Sequence, residues 1–311
     1  MNTKTWMSVS AAALAAAGTG AAQAQDGRFE LRSDTMIARA DPFAPDEELL
    51  TPLGAPFDLE TGLDSNSWAR WVQPLEGRKV LRFEQQVRAR AYFDRDALNS
   101  LLLTPRVQYW DTTADNQFQF RIYGAYSHLT RDGDTQWTRP ETEIQLRWRP
   151  GGDRTAETVA RVRLNAYDFQ DAALQGLDST RVRYGLEQFF RNDDQSLQLR
   201  LSAFFETADA DQDRFSFDEV RTRAEVAWRP NDKTVVIAGL DYRDRDYDAA
   251  FGGAFPQPRA DQRFTGDIRV EREISERITA FAAAGYLDNE SNIALRDYGG
   301  ETFQVGLRIE F

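Results

Sequence analysis

The last ten residues, Thr302–Phe311 (TFQVGLRIEF), alternate strictly. Phe303, Val305, Leu307, Ile309 and Phe311 are apolar, and Thr302, Gln304, Arg308 and Glu310 between them are polar. A period of two is the signature of a strand with one apolar and one polar face, and here it runs to an aromatic final residue. The same period recurs throughout Lys79–Phe311. In KVLRFEQQVRARAYF the apolar set is Leu81, Phe83, Val87, Ala89, Ala91 and Phe93, against Arg82, Glu84, Gln86, Arg88 and Arg90. Further alternating segments are Leu102–Trp110, Gln117–Ser127, Glu141–Arg149, Thr158–Tyr167, Thr180–Phe190 and Ser196–Glu206. They continue with Glu219–Arg229, Thr234–Arg245, Arg263–Glu271 and Arg277–Tyr286. The spacing predicts about a dozen strands.

Three features separate a membrane barrel from a soluble sandwich. The segments have about the 9–11 residues that a tilted strand needs to cross a bilayer, against about 5–6 in globular proteins. The links between them alternate in length: Leu287–Glu301, Asp246–Gln262, Thr207–Asp218, Phe169–Ser179 and His128–Pro140 are long, Ser275-Glu276, Pro230–Lys233 and Arg191–Gln195 are short, and the turn Pro150–Glu157 is intermediate. Long extracellular loops and short periplasmic turns produce that pattern in outer-membrane barrels. Finally, Tyr126, Trp148, Trp228, Tyr242 and Tyr286 fall on the apolar parity near strand ends, where an interfacial girdle belongs. The expected fold is an all-β, antiparallel transmembrane β-barrel.

Bulk composition alone would mislead. Mean hydropathy is -0.60, the net charge is -12 and no run of about 20 apolar residues exists. A barrel hides its membrane signal in every second residue. The absence of cysteine rules out disulfides and thiol chemistry, and the acidic balance speaks against nucleic acid as a partner.

The N-terminus has a cation at Lys4, an apolar run from Val9 to about Ala17, and Ala22-Gln23-Ala24 before Gln25. Those are the three regions of a secretory signal peptide, so residues 1–24 are expected to be cleaved on export. Residues 25–78 hold several prolines and acids and only short candidate strands, Arg28–Ile37 and Phe57–Leu63. As a periplasmic extension or plug they leave a barrel of twelve strands over residues 79–311, the primary expectation. As one more hairpin they make it fourteen.

Parity assigns the lumen. Arg82, Arg88, Arg90, Arg106, Arg121, Arg147, Arg149, Arg161, Arg163, Arg181 and Arg183 face inward, followed by Arg200, Arg221, Arg223, Arg243, Arg245, Arg263, Arg269 and Arg308. The inward acids are fewer: Glu84, Glu143, Glu187, Glu206, Glu219, Glu225, Asp241, Asp267, Glu271 and Glu310. A charge on the lipid face would cost about 2–4 kcal/mol at the midplane, so the inward arginines need water or partners. The excess of roughly two to one predicts a hydrated pore for small or oligomeric anionic solutes, with Arg161/Arg163, Arg181/Arg183 and Arg221/Arg223 as adjacent positive strips. The alternative is mutual neutralisation of arginine and acid across neighbouring strands, filling the lumen.

Catalysis has little to work with. The single histidine, His128, adjoins Ser127, and strand neighbours point to opposite faces, so a barrel hydrolase built on His128 is a secondary alternative. Asp209, Asp211 and Asp213 begin like a calcium loop, but Arg214 and Val220 occupy the positions an EF-hand reserves for glycine and glutamate. No cofactor and no resident metal are expected.

The terminal phenylalanine on an alternating strand, with Phe303, Val305, Leu307 and Ile309, resembles the sorting signal of Gram-negative outer-membrane barrels. That resemblance covers residues 79–311. It implies residence in the outer membrane, with lipid and lipopolysaccharide around the wall and the barrel assembly machinery as a partner. SNIALRDYGGETFQVGLRIEF and GLDSNSW (Gly62–Trp68) also resemble the ends of the barrel domain in surface-lipoprotein assembly modifiers. That likeness implies a non-conducting accessory of surface lipoprotein or polysaccharide export, although the helical repeats of that family have no counterpart in this sequence.

Overall fold

The computed structural model describes residues 27–40, 58–170, 174–252 and 255–311. The expected signal peptide, residues 1–24, lies outside them. Fourteen antiparallel strands run in chain order around one closed barrel. They are β1 (Arg28–Ala40), β2 (Glu60–Pro74), β3 (Val80–Tyr92), β4 (Ser100–Thr112), β5 (Phe118–Arg131), β6 (Asp134–Trp148) and β7 (Ala156–Phe169). The second half comprises β8 (Ser179–Arg191), β9 (Leu197–Ala210), β10 (Phe217–Asn231), β11 (Thr234–Gly252), β12 (Phe255–Ser275), β13 (Ile278–Ser291) and β14 (Tyr298–Glu310). Closure is made by β1 against β14, in register from Arg32↔Glu310 to Arg39↔Phe303. The terminal residue takes part: the Phe311 N–H donates to the Leu31 carbonyl at 2.8 Å, and the Leu31 N–H to the Phe311 carbonyl at 3.1 Å. A closed ladder satisfies every strand edge, which a lipid-exposed backbone requires.

Of the two expectations the fourteen-strand alternative is observed in place of twelve, and residues 28–40 and 60–74 are the extra wall hairpin rather than extension or plug. They escaped the period test because their outward face is apolar only towards its ends. Ser33, Thr35, Ser65 and Ser67 occupy its middle, where hydroxyls pair across the two strands, Ser33 with Ser67 at 2.9 Å and Thr35 with Ser65 at 3.3 Å. Mutual hydrogen bonding makes these groups tolerable on a lipid-facing wall, and it erases the alternation.

Two long links are also corrected. β5 and β6 continue to a tight hairpin at Asp132-Gly133, both with positive φ, the backbone that two-residue hairpin turns use. β11 and β12, 19 and 21 residues long, stand well beyond the length a bilayer needs. Elsewhere the outer wall is as the period predicts. Leu186, Leu240, Ile268 and Val305 are more than half exposed on it, and the girdle residues Tyr126, Trp148, Trp228, Tyr242 and Tyr286 all face out.

Candidate functional site

The inward parity of fourteen strands converges on a charged lumen whose repeating unit is a carboxylate held by two guanidiniums. Buried Glu84 takes Arg70 and Arg106, Glu187 takes Arg161 and Arg200, and Glu206 takes Arg183 and Arg181. Glu219 lies 2.6 Å from Arg245 and 3.7 Å from Arg243, and Asp64 lies 2.6 Å from Arg88 and 3.3 Å from Arg90. Glu157 joins Arg147 and Arg149, Glu143 joins Arg163 and Arg161, and Glu271 joins Arg269 and Arg308. A carboxylate has enough lone pairs for two arginine forks, so a two-to-one lumen can be fully bonded and still keep positive charge.

Cross-strand pairing thus exists alongside the arginine excess. The expected bare strips are laced with acids: Arg221 binds Asp241 at 2.9 Å and Arg223 binds Glu225 at 2.6 Å, as the 161/163 and 181/183 columns bind Glu143, Glu187 and Glu206. Asp34, Asp64, Arg32 and Arg70 were missed because β1 and β2 show no clear period, and Glu157 because it was placed in a turn. Arg263 is buried with its guanidinium 5.4 Å from the Tyr298 ring.

The lumen differs along its length. In its middle lies a cavity of about 620 Å³ lined by nine arginines and four acids. A second cavity of about 190 Å³ shares Arg221, Arg223 and Asp241 with it and has six arginines to three acids. At the long-link end the inward side chains form instead a dry cap. Leu129, Trp137, Tyr167, Phe169 and Leu177 are at most 3 % exposed, and Leu98, Phe215 and Tyr298 pack against them. Arg181, 1 % exposed, joins this cluster to Phe217 and Tyr247, with its guanidinium 4.2 Å from the Tyr167 ring and 5.4 Å from the Phe217 ring. Arg245 stacks on Phe217 at 3.9 Å. Such stacking holds a desolvated guanidinium in an apolar setting. The sequence signal for the cap was available: Tyr167 and Phe169 share the parity of Arg161 and Arg163.

At the short-turn end Arg82 and Arg121 both stand against Trp110, and neither forms an ion pair with a described acid. On the outer face, Phe303, Val305, Leu307 and Ile309 of β14 and the terminal Phe311 project outward, between 36 % and 67 % exposed. Ser127 and His128 diverge as strand neighbours should. Ser127 Oγ lies 3.1 Å from Thr104 Oγ1 in the interior, whereas His128 Nε2 lies 3.0 Å from Thr135 Oγ1.

A closed antiparallel barrel with an apolar exterior, an aromatic girdle and a charged interior defines the outer-membrane β-barrel class. Solved structures agree at the level of the fold. An outer membrane-expressed OmpT of Vibrio cholerae matches with a TM-score of 0.50 at 12% identity, covering 93% of this chain and 99% of that one. An anion-selective porin from Comamonas acidovorans matches with a TM-score of 0.50 at 10% identity, covering 92% and 99%. No family model matches the chain, and no curated protein resembles it in sequence.

Proposed function

We propose that the barrel is a passive channel for small or oligomeric anionic solutes, its selectivity set by the inward arginines. The observation that carries this reading is the adjoining pair of lumen cavities in which arginines outnumber acids about two to one, with every lining acid but Asp267 held in an ion pair. Field from the unneutralised guanidiniums concentrates anions in a low-dielectric wall. An anion-selective porin of the same fold makes the reading feasible. We further propose that the apolar belt meets outer-membrane lipid and lipopolysaccharide, and that the terminal strand is what the barrel assembly machinery binds. No chemical step is assigned to the barrel.

The dry cap favours a second reading, a closed barrel that serves as an accessory to surface lipoprotein or polysaccharide export. Single-channel recording of the refolded protein in a planar bilayer across a salt gradient separates the two. The channel reading expects a stable open level with a reversal potential on the anion side, moved toward the cation side by Arg161→Glu or Arg221→Glu. A silent bilayer holding verified folded protein sinks it and leaves the closed accessory.

A further inference from the structure

We propose that Arg82 and Arg121, braced on the Trp110 ring, form an oxyanion-binding site at the short-turn mouth of the lumen. The inference deepens the channel reading and rests on it for a role in transport, while the binding itself stands on local geometry.

The mouth departs from the rest of the lumen in one respect. The arginines of the repeating unit each share a carboxylate, reached directly or diagonally across the ladder; Arg82 and Arg121 share none, and an amide stands opposite each of them. Gln108 is the register partner of Arg82 and Gln145 that of Arg121. Gln108 and Gln145 are 2 % and 4 % exposed, so water does not take over the task of a counter-ion at those positions. Arg82 Nη2 donates to Gln108 Oε1 at 2.6 Å, a neutral acceptor that satisfies one N–H and leaves the charge. The Nε groups of both Arg82 and Arg121 are buried and have no hydrogen-bond partner. Buried donors of this kind cost free energy until something accepts from them.

Trp110 explains how the pair is tolerated. The guanidinium carbons lie 5.6 Å and 5.5 Å from the indole centroid, for Arg82 and Arg121 respectively. The ring steadies two like charges through its face without neutralising either, and the N–H edges of each guanidinium stay available. Arg147 and Arg161, paired to Glu157 and Glu187, and Glu143 lie within electrostatic reach of Arg121, where the cations outnumber the acid. All three site residues sit within a few positions of strand ends that border the turns 75–79 and 113–117, so the site lies at a mouth and not behind the cap. Planar donor forks with unmet N–H groups match the oxygens of a carboxylate or a phosphate, whereas a halide would use one donor at a time.

The test is isothermal titration of the full-length protein in detergent with inorganic phosphate and, separately, succinate, at constant ionic strength. Saturable binding of at least one probe is expected, and the tighter of the two identifies the anion's source. Gln108→Glu converts the Arg82 hydrogen bond into an ion pair. It should weaken binding at least tenfold while raising the thermal unfolding midpoint, since it relieves an unbalanced charge. A bracing role alone would leave affinity untouched. Arg121→Gln should also weaken binding tenfold or more, and Arg229→Gln, at the exposed end of β10, should change nothing. Absence of saturable binding by folded protein, or undiminished binding in Gln108→Glu and Arg121→Gln, overturns the site. Binding by a protein that is silent in bilayers upholds the site and overturns the channel; anion-selective conduction without saturable binding does the reverse.

Discussion

Two arginine clusters at opposite ends of the lumen are held in opposite ways. At the long-link end Arg181 and Arg245 are 1 % and 2 % exposed, salt-bridged to Glu206 and Glu219 and stacked on Tyr167 and Phe217. There the guanidinium is a structural part with acid and ring both in place, although Arg181 Nε and Nη2 are buried without a hydrogen-bond partner. At the short-turn end Arg82 and Arg121 have the ring but not the acid. Between them the middle of the lumen has both acid and open volume. A cation that is fully matched holds the barrel together, and one left unmatched is available to a solute. The lesson is that counting inward arginines says less than asking which of them already has a carboxylate.

The contrast can be broken at either end. The largest effect is expected from Trp137→Ala, which removes a side chain 1 % exposed from the centre of the cap. It should cost about 3–5 kcal/mol in chemical unfolding and enlarge any single-channel conductance. A cost near zero would mean that the cap is wet. Glu219→Gln removes the buried carboxylate that Arg243 and Arg245 share and should cost about 3 kcal/mol, the lower bound for removing one partner of a buried pair. The equivalent change in the hydrated middle, Asp241→Asn, should cost about 1 kcal/mol or less, because its partner Arg221 can be solvated in the cavity. It should also shift the reversal potential further toward anions. If the two acid-to-amide changes cost the same, the division of the lumen into dry and wet parts fails.

The smallest effect lies outside the strands. Asp115, in the turn 113–117, accepts a hydrogen bond from the Thr113 hydroxyl at 2.5 Å and from the Gln117 N–H at 3.0 Å. Those bonds hold its carboxyl below the ordinary value of 3.8. A depressed folded-state pKa contributes stability that is complete above the unfolded value and is lost as pH falls through the folded one. An NMR titration should place the Asp115 midpoint below 3.8 and move it upward in Thr113→Ala. An unchanged midpoint would show that the turn bond is not made in solution.

Much of the wall was legible because its rule is local. Phe303, Val305, Leu307, Ile309 and Phe311 could be placed on lipid from ten residues of sequence, and the five girdle aromatics likewise. The inward set from Arg82 to Arg308 followed from the same parity. The rule failed at β1 and β2, where Ser33–Ser67 and Thr35–Ser65 satisfy each other and remove the need for apolar side chains. It failed again at β11 and β12, whose upper parts leave the bilayer and so lose the alternation that lipid imposes.

Sequence alone settled the period, the barrel class and which residues face each side of the wall, because backbone geometry turns successive side chains to opposite faces regardless of what lies beyond. Only the tertiary structure decided the strand count and the pairing of charges. Arg308 reaches Asp34 across 274 positions of chain, and nothing within either segment reveals the other. Whether an inward arginine is braced, hydrated or unmatched is a property of register between strands, and register is set when the barrel closes.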